Sequence, residues 1–284
     1  MRGFWAAAVF LAAVCVGLGV SWGAHLSRDE PDNTEFSVTI RGPLGSADVV
    51  STSGPTPRVQ VIKHEAGSGK PVEPGQRILY VSSSFDGRGR LLAGGDLSAA
   101  TLDSTLPYND ALTGLPEGSR LWVVNPQGAG AEIIVIDLLH TSPQGTDVAE
   151  ETGVDSSLPL SESNGTLLMT EPYGSIGSLS TILLTRGVGD QVFSDGSLFV
   201  NYWVFNAESG DLLDAGDVVH LDLSQTLEGL AVGVDGLRIG SRVALLIPAA
   251  EAQGDHDTIV VLDLLALPDG ADEGAEQGDD ASGH

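Results

Sequence analysis

The chain has 284 residues, 42% of them hydrophobic and 5% aromatic, with 37 glycines, one cysteine and a formal net charge of −26. That length suffices for two ordinary domains with real cores, and the lone Cys15 excludes an intramolecular disulfide framework. The charge is lopsided: residues 1–120 hold 10 Lys+Arg against 12 Asp+Glu and residues 121–284 hold 3 against 27, a field that repels nucleic acid and anionic lipid headgroups.

Arg2 precedes an apolar stretch over residues 4–24 that is long enough to span a bilayer. Residues 1–28 are therefore expected to be a signal sequence or membrane anchor, with the folded part outside the cytoplasm. Leu11-Ala12-Ala13-Val14-Cys15 resembles a lipobox, although its leucine stands one place too far away and Val14 is bulkier than the usual small residue. After a polar tether, FSVTI (36–40) alternates as a strand does, residues 42–57 are turn-rich, and RVQVIK (58–63) alternates again. Gly67-Ser68-Gly69-Lys70 invites comparison with a phosphate loop. His64 stands where the first glycine belongs and Pro71 where Ser or Thr belongs, so it reads as a turn. Residues 77–85 predict a strand, the surroundings of Gly94-Gly95 a loop, and residues 108–112 a weak helical patch. LWVVNP (121–126) and EIIVIDLL (132–139) predict two further strands, and residues 141–155, rich in Ser, Gly and acids, predict a linker.

In the second half, residues 166–170 and 182–185 read as strands, and LFVNY (198–202) places Leu198, Val200 and Tyr202 on one face. A turn at Ser209-Gly210 precedes Leu212-Leu213-Asp214, and residues 218–223 alternate once more. Leu227, Leu230, Ala231, Val234 and Leu237 follow the spacing of one helical face. Gly236 and Gly240 break that pattern, an apolar run over 243–247 ends at Pro248, and IVVLDLLAL (259–267) predicts a central strand. Beyond Pro268 the chain contains nothing apolar larger than Ala, and residues 268–284 are expected to be disordered.

The landmarks occur twice. Gly118-Ser119-Arg120, an apolar strand and a proline correspond to Gly240-Ser241-Arg242, VALLI and Pro248, while Leu115 matches Leu237 and IDLL (136–139) matches LDLL (262–265). The spacing is 122 residues at the first landmark and 126 at the last, which two copies of one fold over residues 36–140 and 156–267 explain most economically.

In the second copy, V-N-Y in a strand, a turn, a hydrophobic-Asp pair, L-x-G-L…V-x-G-L-x-x-G-S-R…IP and a final L-D-L-L resemble the FKBP-type peptidyl-prolyl isomerase domain. The chain is similar as a whole to exported actinobacterial proteins that carry two such domains in tandem. The resemblance implies an α+β fold, a curved antiparallel sheet wrapped around one short helix, and an activity that needs no cofactor, metal or reactive nucleophile. Its partners would be proline-containing polypeptides, with membrane contact through the N-terminal segment alone. Rotation about an X–Pro bond crosses a barrier of about 18–20 kcal/mol and takes tens to hundreds of seconds unaided. The twisted bond has less charge separation, which a dry apolar site tolerates.

Carried over position by position, the resemblance makes Tyr202 and Asp214 the catalytic pair and Leu213, Leu227, Leu230 and Val260 the substrate pocket. The pattern departs from the family where Leu213 replaces a phenylalanine, Leu230 replaces the floor tryptophan, and residues 249–258 lack the flap tyrosine. In the first copy Ser82, Leu92-Ala93 and Tyr108 take the corresponding places, which implies an inactive domain. The alternative is a non-catalytic tandem module that binds protein segments or fills a structural role at the cell surface. Plainer readings stand beside these: Tyr202 as a core tyrosine, Asp214 as a turn residue, Trp122 and Trp203 as core filling, and Asp211, Asp214 and Asp217 as solvated acids. Those three acids lack the every-second-position spacing and distal Glu of a calcium loop. His220 and Asp255-His256-Asp257 are too sparse for zinc.

Overall fold

A computed structural model describes residues 36–149, 158–163, 165–252 and 254–268. The expected anchor (1–28), the tail beyond Pro268 and residues 150–155 of the expected linker lie outside the described residues. Among the described residues, no helix is long and apolar enough to cross a membrane. The architecture is mostly antiparallel sheet with few helices, divided into two compact units between Leu139 and His140.

The first unit runs through β1 (Ser37–Arg41), β2 (Asp48–Ser53), β3 (Val61–Glu65), β4 (Arg77–Asp86), β5 (Leu91–Thr101), a one-turn helix (Asn109–Leu112), β6 (Arg120–Gln127) and β7 (Gly130–Leu138). Its sheet has the order β3-β6-β7-β4-β5, and β1 and β2 form a separate hairpin. Alternation sorts the side chains into two layers. Ile78, Tyr80, Leu121, Val123, Ile134 and Ile136 pack with Leu112 and Leu115 of the helical turn. Phe85, Val124, Ile133 and Val135 pack on the opposite face, against Val38, Ile40 and Val49 of the hairpin. A sheet covered on both faces explains why β7 is buried along nearly its whole length. The region around Gly94-Gly95, expected to be a loop, lies within β5. The two glycines adopt φ of 121° and 103° at a slip in the β4–β5 register, so they bend the strand without ending it.

The second unit contains β8 (Gly145–Asp147), β9 (Leu160–Ser163), β10 (Thr166–Met169), β11 (Ser180–Gly187), β12 (Ser197–Asn206), β13 (Leu212–Asp222), a 3-10 turn (Leu223–Gln225), a helix (Glu228–Val234), β14 (Arg242–Ile247) and β15 (Thr258–Ala266). The sheet order is β13-β12-β15-β14-β11-β8. Apart from β8 this is the order of the first unit, element for element. β8 falls in the segment expected to be a linker: Gly145–Asp147 pairs with Gly187, Arg186 and Thr185 at the edge of the sheet. One face packs Leu198, Val200, Val243, Leu245, Leu262 and Leu264 with Ala231 and Val234 of the helix. The other packs Trp203, Phe205, Ala244, Leu246, Ile259 and Val261 with Leu158, Leu167 and Ile176. Each fully buried Leu, Val or Ile contributes about 1.5–3 kcal/mol.

The helix is placed by its sequence. Glu228 puts a carboxylate in the first turn, where the helix dipole favours it, and Gly236, at φ 76°, ends it with a left-handed residue that costs glycine little. Gly233 lets it approach β14, because a Cβ there would stand 2.4 Å from Leu245 Cδ2. Beyond the helix, Gly236 N–H donates to Val192 O and Val192 N–H to Leu237 O. The first unit repeats this knot with Gly114, Val72 and Leu115.

Candidate functional site

Tyr202 lies in the middle of β12, half-buried, on the face that packs against the helix. Its cross-strand neighbours are Leu262 on β15 and Gly216 on β13. Two residues on, Val204 faces Val260 on one side and Asp214 on the other. Tyr202, Val204, Val260 and Asp214 therefore share one face of three adjacent strands. Diagonal neighbours on a sheet lie within reach of an aromatic side chain, and the Tyr202 hydroxyl donates to Asp214 Oδ2 at 3.1 Å. The other carboxylate oxygen, Oδ1, accepts the Ala215 N–H at 2.9 Å. Gly216 gives the ring room to lean towards Asp214, since a Cβ there would stand 2.5 Å from Tyr202 Cε1. Partial burial, together with the adjacent Asp214 carboxylate, raises the Tyr202 phenol above its ordinary value, because both disfavour a phenolate.

The apolar side of the site comes from the helix and its entry. Leu230 is half-buried against the same cluster that contains Val260 and Tyr202. Leu227 stands at the helix N-cap, where its carbonyl accepts from Leu230 and Ala231. Leu213 is the outlying member of the expected pocket: it is 48% exposed and sits at the register slip between Val204 and Phe205. At the base of residues 249–257, Asp257 accepts the backbone N–H of Ile176 at 2.6 Å and of Ala249 at 2.8 Å, and these bonds hold its carboxyl below the usual range. No Tyr, Phe or Trp occurs in that segment.

Two participants were not anticipated as members of the site. Gly216 makes the space for the tyrosine ring. Asn201, buried beside Tyr202, holds the β13 backbone through Val218. On the opposite face of the sheet, Arg242 and Asp263 form a bidentate pair at facing positions of β14 and β15. A polar residue between Val200 and Tyr202, and an isolated glycine in an otherwise alternating strand, were the available signals for the first two.

In the first unit the corresponding place is different. Ser82 stands where Tyr202 does, Leu92 is 51% exposed, and Tyr108 packs at the edge of the core with its hydroxyl accepting from Asn125 Nδ2 at 3.4 Å. Among the described residues, no group of three His, Cys, Asp or Glu is arranged to hold a metal ion. A hollow in the second unit, about 220 Å³, is lined in part by Leu160, Glu162, Leu167, Leu184 and Arg242 and does not include the tyrosine.

No family model and no curated protein matches the chain. Among solved structures, the chain is similar to the three FKBP domains of wheat FKBP73, at 10% identity and a TM-score of 0.29, covering 73% of this chain and 93% of that one. It is also similar to a peptidyl-prolyl cis-trans isomerase from Pseudomonas syringae pv. tomato, at 18% identity and a TM-score of 0.30, covering 42% of this chain and 91% of that one.

Proposed function

We propose that the second unit is an FKBP-type peptidyl-prolyl cis-trans isomerase, a folding helper for exported proline-containing polypeptides. The observation that carries this reading is the Tyr202–Asp214 hydrogen bond at the edge of an aliphatic cluster that contains Leu230 and Val260. A prolyl amide seated there would lose water and with it part of the resonance stabilisation that opposes rotation. Asp214, steered by the Tyr202 hydroxyl, places negative charge at the wall, while Leu227, Leu230 and Val260, with Leu213 at the rim, supply the apolar surface. The first unit, with Ser82 and Leu92-Ala93 in these places, is read as a copy without activity. The apolar stretch over residues 4–24 supports placement outside the cytoplasm, anchored or secreted.

The test is the relaxation rate of a proline-containing peptide from cis to trans, measured with the full chain. Acceleration above buffer is expected, and Tyr202→Phe and Asp214→Ala are each expected to lower kcat/KM roughly two- to tenfold, the equivalent of one hydrogen bond of about 0.5–1.5 kcal/mol. A rate equal to that of buffer for the unaltered chain overturns the reading.

Leu230 in place of an indole, and a 249–258 segment without an aromatic, favour a second reading: a non-catalytic module that binds protein segments in the same hollow. That reading expects saturable binding of the peptide with no acceleration of its isomerisation.

A further inference from the structure

Between Val200 and Tyr202 the pairing of β12 with β13 slips by one residue. Val200 faces Val219 and Tyr202 faces Gly216, so Asn201 alone is opposed by both Asp217 and Val218. An inserted residue moves every side chain beyond it to the other face of the sheet. Continuing the Val200–Val219 register without the slip would set Asp214 opposite Phe205, whose side chain lies in the core on the far side. With the slip, Asp214 lies opposite Val204, on the face of Tyr202, and the hydroxyl reaches it. A second slip at Leu213 restores the original alternation, so that only residues 214–216 are re-aimed.

Val218 carries the first slip. Its φ is 50°, a left-handed conformation that is exceptional for a β-branched residue and persists only where the surroundings over-determine it. The surroundings here are specific. Val218 is buried, and its N–H donates to Asn201 Oδ1 at 2.8 Å. Asn201 is itself buried and held from its other end, where Nδ2 donates to Thr141 O at 2.8 Å. The first unit makes its slip between Val81 and Ser83 with Gly94 and Gly95, residues that take positive φ at little steric cost. The slip there encloses Ser82, and the residue that pairs with Asp137 as Asn201 pairs with Asp263 is Val81, which has no amide to offer. The unit with glycines in its bulge lacks the Tyr–Asp pair, and the unit with the pair uses a valine and an asparagine.

We propose that Asn201 is a positioning residue: by holding Val218 in its left-handed conformation it turns Asp214 onto the face of the sheet that carries Tyr202. The proposal rests on the reading of Tyr202 and Asp214 as the wall of the isomerase hollow, and its test is separate from that reading.

The experiment follows the titration of the Tyr202 phenol by NMR in the full chain with ring-labelled tyrosine, the resonance being assigned with Tyr202→Phe. Asp214→Ala is expected to lower this titration, because it removes the carboxylate that disfavours the phenolate. Asn201→Ala is expected to lower it by the same amount, and Asn201→Ala/Asp214→Ala by no more, the signature of two residues acting through one contact. Asn201→Ala/Val218→Gly, in which glycine keeps the bulge unaided, is expected to restore the titration of the unaltered chain. An Asn201→Ala titration equal to that of the unaltered chain, or shifts that add, overturns the proposal. A second measurement needs no variant: the Val218 amide should exchange with solvent as slowly as the paired amides of β12, and exchange as fast as in the exposed turn at residues 208–209 overturns it. A chain without isomerase activity that still shows the coupled titration would end the functional reading and leave the clamp standing. An active chain with uncoupled titrations would do the reverse.

Discussion

Arg242 and Asp263 stand opposite each other on β14 and β15 and close a two-point fork, Nε to Oδ1 at 2.5 Å and Nη2 to Oδ2 at 2.8 Å. Arg120 and Asp137 do the same on β6 and β7, at 2.6 and 2.8 Å. Burial works against the Arg242 charge, and Asp263, helped by Glu162, outweighs it and holds the guanidinium above its ordinary value. Arg242 also lies 5.6 Å from the centre of the Trp203 ring. Removing one partner of a buried pair leaves an uncompensated charge, whereas replacing both by apolar groups does not. Asp263→Ala is accordingly expected to destabilise the second unit by about 3–5 kcal/mol, and Arg242→Met/Asp263→Leu to recover most of that loss. Urea midpoints followed by tryptophan fluorescence decide it; a single variant as stable as the unaltered chain would show that the fork is not buried in solution.

Ser241, next to that arginine, and Gly187 of β11 are fixed by close approach. Ser241 Oγ accepts the Gly187 N–H at 3.0 Å, as Ser119 Oγ accepts the Gly67 N–H at 2.9 Å. A Cβ on Gly187 would stand 2.3 Å from Ile239 O and 2.5 Å from Ser241 N, atoms of backbone that cannot rotate away. Gly187→Ala is expected to cost about 3 kcal/mol or more, at the upper end of overpacking effects. Gly177, where a Cβ would meet nothing within 4 Å, serves as the control, with Gly177→Ala expected within about 1 kcal/mol of neutral. Comparable losses at the two positions would contradict the close approach.

Tyr80 makes the first unit sensitive to alkali. Burial in the core pushes its phenol up to about 12, against the opposing hydrogen bond from Ser98. The folded value lies above the unfolded one of about 10, so the contribution to stability is complete below pH 10 and is lost as pH rises through 12. At 1.36 kcal/mol per pH unit the loss is on the order of 3 kcal/mol. Denaturant midpoints measured across that window should fall in the unaltered chain and fall much less in Tyr80→Phe.

The tripeptide Gly-Ser-Arg and the IDLL and LDLL runs were legible as a repeat, but not what they do: each arginine meets the aspartate of its own final strand, a pairing set by register. The buried strands β14 and β15 and the helix between Leu227 and Gly236 were legible because apolar runs and helical spacing survive in sequence. The broken alternation of residues 212–223 was also visible, as two short pieces with a gap at residues 215–217. One continuous strand with bulges produces that gap, and a bulge looks like a loop to any reading that counts by twos. The β1–β2 and β9–β10 hairpins were harder. Their strands alternate, but nothing in the alternation says that they cover the second face of a neighbouring sheet. Tyr202 and Asp214 were legible only through resemblance, since the slips that bring them to one face are invisible to periodicity.

Gly216 offers the sharpest check on the geometry of that pair. It is the residue directly across from Tyr202, and a Cβ there would stand 2.5 Å from Cε1, 3.0 Å from Cζ and 2.9 Å from Val219 Cγ2. Gly216 has no positive φ, so an alanine meets no backbone strain, and the collisions it must relieve are with the ring and with the Val219 side chain. The ring can yield by swinging away from β13, which carries the hydroxyl off Asp214. Gly216→Ala is therefore expected to reproduce the Asp214→Ala titration of Tyr202 and to lower kcat/KM at least as far as Tyr202→Phe, with a stability loss of about 1–3 kcal/mol. In Gly216→Ala/Tyr202→Ala, where the ring is gone, only the 2.9 Å approach to Val219 Cγ2 remains and the added stability cost of the glycine change should shrink. If the alanine costs as much stability without the ring as with it, the tyrosine does not lie over β13 as described.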